Sequence, residues 1–281
     1  MYPAKFDYHR AKSIEEAESL CKGNADASFL AGGHSLIPAM KLRLSDPGAL
    51  IDISAIDDLK GISRDGDTIR IGALTTHTEV GTSDVVKDGC AALSEAAGMI
   101  GDPQVRNRGT IGGNMAHADP ASDYPGILMA LGATIVTSSR SINVDHFFTG
   151  LFETALNDGE IIKEIQVPVV GGDSGAAYAK FFNPSSRYAV VGVGALISKS
   201  NGACSSCRIG VTGAASHAFR ASAAEKSLNG SDLGDDAVSA AAEKVSEGQE
   251  MLSDLSASAN YRTHLCSVMA KRAIAQAASR S

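Results

Sequence analysis

The sequence predicts an α+β protein built from two or three units, and three observations carry that prediction. The chain has 281 residues, against roughly 100–200 for a single domain. Its N-terminal stretch, to about residue 56, alternates strand-like and helix-like segments around a glycine turn. Beyond the glycine-rich segment Gly171-Gly172-Asp173-Ser174-Gly175, strand-like runs come first and helical patterns follow, the order expected of an α+β domain. A composition of 44% hydrophobic and 20% charged residues supplies ordinary buried cores.

The elements follow in chain order. After a first strand, Ser13 and Glu16 have capping-box spacing, and Ile14, Ala17 and Cys21 form the apolar stripe of a helix. Ser28 to Ala31 is a short buried strand running into Gly32-Gly33-His34-Ser35. A helix follows from Leu36 to Leu44, with Pro38 tolerated in its first turn. Leu50 to Ile53 is the next strand. Ile62 to Ile71 reads as a hairpin around Asp65-Gly66, and Gly89 to Ile100 as an alanine-rich helix. Residues Gly101 to Ala121, dense in turn and polar residues, are predicted as a loop. A helix near Gly126 to Leu131 precedes strands at Ala133 to Thr137 and Glu160 to Val167, the latter closed by Pro168. Past the linker, strands are predicted at Ala176 to Phe182, Tyr188 to Ser198 and Cys207 to Ala214. Helices at Ala221 to Leu228, Asp236 to Glu247 and Tyr261 to Ala278 finish the chain.

Bulk properties exclude several classes. A net charge of −7 gives no electrostatic basis for binding nucleic acid or an anionic membrane. The N-terminus lacks an apolar signal-peptide region, so none is expected, and no segment approaches ~18 consecutive apolar residues. Five scattered cysteines read as reduced thiols of a cytoplasmic protein. Cys204 and Cys207 form a single CxxC, and a structural zinc or iron-sulfur site needs a second pair.

Two glycine-rich segments carry the chemistry. Ala31-Gly32-Gly33-His34-Ser35 follows a strand and precedes a helix, so successive backbone N–H groups can face a phosphate. Thr110-Ile111-Gly112-Gly113-Asn114 reads as a second nest for anionic oxygen. A side chain at Gly33 or Gly113 would then occupy the phosphate's place. Asp119 and Asp123 are suited to accept hydrogen bonds from sugar or ribityl hydroxyls. Two cradles plus a hydroxyl acceptor fit a dinucleotide better than a mononucleotide. Competing motifs fail: there is no P-loop, no nucleophile elbow and no H-E-x-x-H. Gly192-Val193-Gly194 lies inside a strand-like run and lacks the third glycine of a dinucleotide fingerprint.

These two segments at this spacing resemble the FAD loops of the medium subunits of molybdenum hydroxylases, of the carbon monoxide dehydrogenase type within the xanthine dehydrogenase family. The resemblance extends through Met40-Lys41-Leu42-Arg43, Phe147-Phe148-Thr149-Gly150, Gly159-Glu160-Ile161-Ile162 and Asn260-Tyr261-Arg262, so it covers nearly the whole chain. It implies a vanillyl-alcohol-oxidase or PCMH-type FAD-binding module over residues 1–172, with subdomains of about 1–56 and 57–172. A flavoprotein C-terminal domain, an antiparallel sheet with helices, would span 173–281. The family's contacts place Phe29, Leu30, Ala31, Gly32, Gly33, His34, Ser35 and Leu36 along the pyrophosphate and isoalloxazine. Thr110, Ile111, Gly112, Gly113 and Asn114 would meet the pyrophosphate and adjacent ribose, and Asp123 the hydroxyls. Ile100 and Ile162 would pack apolar faces of the cofactor, and Lys180 would lie near the flavin ring.

The chain has no tryptophan and only six tyrosines. A hairpin around Asn183-Pro184-Ser185-Ser186 would bring Tyr188 toward the flavin edge approached by Lys180, where ring stacking contributes ~1 kcal/mol.

What the resemblance implies functionally is an electron relay with no catalytic residue of its own. A large subunit would hold the molybdenum cofactor and a small subunit two 2Fe-2S clusters. Noncovalent FAD here would pass electrons to an external acceptor, in a dimer of heterotrimers that is cytoplasmic or seated at the inner face of the membrane. The alternative is a self-contained flavin oxidase or dehydrogenase of the same superfamily, in which His34 would be the position for covalent attachment.

Overall fold

The computed structural model describes residues 2–281. At the N-terminus β1 (Asp7–Arg10), α1 (Ile14–Lys22), β2 (Ala27–Leu30), α2 (Leu36–Lys41) and β3 (Ala49–Asp52) form one unit. Its sheet has the order β1-β3-β2, and both pairings are parallel. Ala17, Ile51, Ile53, Ile56 and Leu59 fill its core. Ser13 caps α1 by accepting from the Glu16 N–H at 3.2 Å. The Glu16 carboxylate takes the Lys12 N–H at 2.8 Å, so the reciprocal half of the expected capping box is displaced by one residue. The full box lies at Thr76 and Glu79. The second helix stops at Lys41, three residues before its expected end at Leu44, and Arg43 adopts a left-handed φ of 61°.

The next unit begins with the hairpin β4 (Ile62–Asp65) and β5 (Thr68–Gly72). Helices α3 (His77–Thr82), α4 (Asp84–Gly89) and α5 (Ala91–Met99) follow. The segment expected to be a loop contains α6 (Pro103–Arg106) and α7 (Ile111–His117). Gly112 and Gly113 lower helix propensity enough to hide α7 from a sequence reading. Tertiary anchoring forms it nonetheless: Thr110 caps it, Ile111 and Met115 are buried, and its first amides bond the Thr75 and Ala73 carbonyls. Then come α8 (Asp123–Leu131), β6 (Thr134–Thr137), β7 (Ser141–Asn143), the small hairpin β8 (Phe148–Gly150) and β9 (Glu153–Thr154), and β10 (Ile162–Pro168). An antiparallel sheet of order β4-β5-β10-β6-β7 results.

The last unit is the antiparallel sheet β11 (Ser174–Phe182), β12 (Ala189–Ser200), β13 (Ala203–Thr212) and β14 (Phe219–Arg220). It is followed by α9 (Ser222–Leu228), α10 (Asp235–Ala242) and α11 (Ala259–Ser279). Helix α11 covers one face of β11 and β12, and α8 lies on β12 and β13. Every residue of α8 is buried, as required of a helix apolar all round. Close approach is bought with glycine. A Cβ at Gly194 would sit 2.8 Å from the Ile127 Cα, and one at Gly210 would sit 2.2 Å from the Gly126 carbonyl oxygen. That packing accounts for Gly194 of the rejected Gly192-Val193-Gly194 motif, whereas a Cβ at Gly192 would collide with the Tyr178 hydroxyl. Cys204 and Cys207 are buried thiols on β13.

A buried ion pair joins this sheet to the middle unit. The Lys180 ammonium on β11 donates to Asp123 at the start of α8 at 2.8 Å, with the two side chains 3% and 5% exposed. The Tyr178 hydroxyl donates to the other carboxylate oxygen at 2.7 Å. Removing one partner of such a pair strands a buried charge. Lys180→Met is therefore expected to lower unfolding free energy by roughly 3–5 kcal/mol. Adding Asp123→Asn should recover most of that loss in denaturant titrations of the apoprotein. Equal instability of the single and double variants would refute the pairing as the cause.

Candidate functional site

A cavity of about 790 Å³ opens where the three units meet. One wall is the turn between β2 and α2, with Phe29 to Leu36. A second is the start of α7, with Thr110, Gly112, Gly113 and Asn114. The loop before β10 closes one end with Leu156 to Ile162, and the β11–β12 turn closes another with Pro184 to Tyr188.

The two glycine segments, expected to be equivalent cradles, are chemically different. Among the described residues, no protein acceptor takes the N–H groups of Gly32, Gly33, His34, Ser35 or Leu36. Five successive amides are thus left for a ligand, and Ser35 makes no capping bond with its hydroxyl. In the second segment the amides are already used. Ile111 donates to the Thr75 carbonyl at 3.0 Å and Gly112 to the Ala73 carbonyl at 2.8 Å. Gly113 donates to Thr110 Oγ1 at 3.1 Å. What this segment offers the cavity is side chains, chiefly Asn114, whose Oδ1 is held by the Ser122 hydroxyl at 2.9 Å. Helices of six and seven residues contribute little macrodipole, so the free amides are the anion-binding feature.

The glycines also serve close packing within the protein. A Cβ at Gly32 would lie 2.1 Å from the Arg108 carbonyl oxygen, and one at Gly112 would lie 2.4 Å from the Ala73 Cβ. Gly33 has φ +71°, and a Cβ there would meet Ile37 Cδ1 at 2.7 Å. At Gly113 the obstacles would be Thr110 Oγ1 at 2.8 Å and the Ala31 Cβ at 3.7 Å. Gly32 and Gly112 let two backbones touch, and Gly33 lets the turn form.

Of the other expected residues, Ile100, Ile162, Asp123 and Tyr188 line the cavity, while Ile111, Asp119 and Lys180 do not. Ile111 points into the core beneath α7 and is fully buried. Asp119 accepts from the Ala121 N–H at 2.9 Å and shapes its own turn. Lys180 is drawn away by Asp123 and the Met99 carbonyl, so it reaches the cavity only through that carboxylate. Burial pushes the Asp123 carboxyl above its ordinary range, against the opposing pull of Lys180 and Tyr178. Tyr188 arrives by the expected hairpin, in which Phe182 pairs with Ala189. Burial and the Asp119 carboxylate raise its hydroxyl above the usual tyrosine range, and the Ser35 side chain opposes them.

Several residues of the site were not named as cofactor contacts from the sequence. Gly101 supports the Arg187 side chain, which a Cβ would meet at 2.4 Å. His77 on α3 lines the cavity and is 4% exposed. Burial, then the charges of His34 and Arg106, lower its imidazole to about 4. Glu160 organises the loop at the far end. It accepts from Thr137 Oγ1 at 2.5 Å, Ser139 Oγ at 2.8 Å, Arg140 Nε at 3.1 Å and the Asn157 N–H at 2.8 Å. Burial alone would raise its carboxyl, but these bonds outweigh it and hold the group at about 2.

Comparison with known proteins assigns this arrangement. A family model described as the FAD binding domain in molybdopterin dehydrogenase matches residues 4–170. A second, the CO dehydrogenase flavoprotein C-terminal domain, matches residues 176–277. The chain belongs to the family of FAD-binding medium subunits of molybdenum hydroxylases. It is 39% identical to the carbon monoxide dehydrogenase medium chain of Hydrogenophaga pseudoflava, over 98% of this chain and 97% of that one. It is 38% identical to the 6-hydroxypseudooxynicotine dehydrogenase complex subunit alpha of Paenarthrobacter nicotinovorans, over 100% and 97% of the two chains. A solved structure of carbon monoxide dehydrogenase from Hydrogenophaga pseudoflava superposes with a TM-score of 0.97 at 41% identity, covering 100% of this chain and 99% of that one. The family's cofactor is FAD, and this FAD subunit fits it. The cavity volume lies within the usual range of roughly 300–1,000 Å³ for ligand sites, and the run of free amides suits a diphosphate.

Two outcomes test the site. Gly32→Val must part the two glycine segments, so FAD content is expected to fall below about a tenth of wild type, measured by absorbance after denaturation. Gly171→Ala, with nothing within 4 Å of its added Cβ, should leave it unchanged. Glu160 has a depressed carboxyl pKa in the folded state, so its stabilisation is full above the ordinary glutamate value and lost as pH falls toward about 2. Glu160→Gln should therefore cost roughly 2 kcal/mol at pH 7 and converge with wild type near pH 2 in pH-dependent unfolding. A pH-independent difference would sink this account.

Proposed function

We propose that this FAD subunit is the electron relay of a heterotrimeric molybdenum hydroxylase. A large partner holds the molybdenum cofactor and oxidises substrate, and a small partner carries two 2Fe-2S clusters. Bound FAD supplies a carrier that takes electrons singly and releases them in pairs. This chain's residues hold it noncovalently and leave one edge toward an external acceptor. The observation that carries the reading is the cavity wall itself. Its donors are main-chain amides and its flanks are apolar, with Ile100 and Ile162 in the walls. Tyr188 covers the flavin end, where its ring stacks on the cofactor and limits solvent access. Among the described residues no group of three or more His, Cys, Asp or Glu side chains is placed to hold a metal. His34 Nδ1 lies 3.1 Å from the Gly32 carbonyl, an arrangement that folds the ring onto its own turn and favours noncovalent binding.

Near-equal identity to relatives named for carbon monoxide and for 6-hydroxypseudooxynicotine supports placing substrate selectivity in the large subunit. No helix among the described residues is long and apolar enough to cross a membrane. Residence in the cytoplasm, or at the inner membrane face through the complex, is consistent with that.

Purification from the native host under mild conditions should bring two further subunits, with about one molybdenum and about four iron atoms per FAD, as a dimer of heterotrimers by mass. Acid precipitation should release yellow FAD into the supernatant. A chain that purifies alone and oxidises an organic substrate, with flavin retained on the pellet, would overturn the reading in favour of a self-contained flavoenzyme.

A further inference from the structure

His77 stands where the two glycine segments meet. Its backbone N–H donates to the Gly109 carbonyl at 3.0 Å, and its neighbour Thr76 pairs with Thr110. The imidazole edge packs on the buried Tyr124 ring, with centroids 5.3 Å apart at 62°. Its other side lies beneath Gly109, where an added Cβ would come within 2.6 Å of Nε2. Gly109 is itself held against Gly32, whose own Cβ would fall 3.0 Å from the Gly109 Cα. The ring is therefore at the seam between the free amides of residues 32–36 and the start of α7.

The two ring nitrogens have different surroundings. Nδ1 is buried with no hydrogen-bond partner among the described residues. Nε2 is not among the enclosed, unpartnered atoms, which leaves it as the ring nitrogen through which His77 can meet the cavity it lines. Burial and the charges of His34 and Arg106 keep the ring neutral at ordinary pH, so it carries one N–H. Orphaned N–H donors are rarer in protein interiors than under-satisfied acceptors. The proton therefore belongs on Nε2, with the lone pair on the partnerless Nδ1.

We propose that His77 is a further cofactor-binding residue that donates its Nε2–H to a pyrophosphate oxygen of the bound dinucleotide. The inference rests on the reading that the glycine segments hold that pyrophosphate. It assigns the second segment's side of the cradle a donor that its backbone amides, already bonded within the protein, do not supply.

The test uses the full-length chain stripped of flavin, with FAD titrated by fluorescence and ADP as a competing ligand. His77→Phe keeps a ring against Tyr124 and removes both nitrogens. His77→Gln restores an N–H near the position of Nε2. His77→Phe is expected to weaken both FAD and ADP by roughly 10–100-fold, the range for a hydrogen bond to a charged group, with the apoprotein melting temperature within a few degrees of wild type. His77→Gln should return both affinities to within about 5-fold of wild type, because a single such bond accounts for the loss. Wild-type affinity in His77→Phe would overturn the inference, as would a loss for FAD with none for ADP. Equal loss in both variants, tracking a lowered apoprotein melting temperature, would reduce His77 to packing and also overturn it. Failure of the wild-type chain to bind ADP would instead strike at the pyrophosphate reading beneath it.

Discussion

The contact on which this molecule depends is the bare backbone approach of Gly32 to the Arg108 carbonyl, where an added Cβ would stand 2.1 Å from oxygen. Two units of the chain meet there with no side chain between them. The approach sets the width of the slot and aligns the five free amides of residues 32–36 with the face presented by Thr110, Gly112, Gly113 and Asn114. It also places His77 at the seam. Gly112 against Ala73 repeats the device one layer deeper and ties α7 to the sheet of the middle unit. Anion binding then follows from amides that no protein acceptor takes and that face the cavity, where a ligand's oxygens can meet them.

A second joint works by charge. Asp123 opens α8, helix α8 lies on β12 and β13, and Lys180 and Tyr178 of β11 close on the Asp123 carboxylate. This buried cluster fixes the C-terminal sheet against the FAD-binding module. The β11–β12 turn, with Arg187 above Gly101 and Tyr188 beside Ser35, is thereby delivered to the cavity. Asp123 thus lines the cavity while both its oxygens are already engaged, so it shapes one end of the site as well as facing a ligand. Glu160 does comparable work at the opposite end, drawing the Ser139–Arg140 hairpin and the Asn157 turn onto one carboxylate.

What was legible in the sequence depended on local signals. Strand-turn-helix punctuation at Ala31 to Leu36, hairpin chemistry at Asp65-Gly66 and the split between strands and helices after Gly175 all rest on neighbours in the chain. So does the arrival of Tyr188 by a hairpin. The helix α7 is hidden in the sequence because propensity counts Gly112 and Gly113 against it, whereas burial of Ile111 and Met115 decides for it. Lys180 bears the right chemistry for a cofactor contact, and only non-local geometry shows that it pairs with Asp123, 57 residues away.

The sequence by itself determined the two glycine segments and most local elements, because glycine spacing and period-specific hydrophobicity are properties of short stretches; the family and its cofactor were legible through the resemblance those segments carry. Only the tertiary structure decided that the segments are unlike, one offering free amides and the other offering side chains. The reason is physical: whether an N–H is available depends on which carbonyl lies opposite it, and Thr75 and Ala73 are brought to Ile111 and Gly112 by the fold alone. The same holds for His77, whose sequence neighbours carry no sign that its ring reaches a cavity lined from three units.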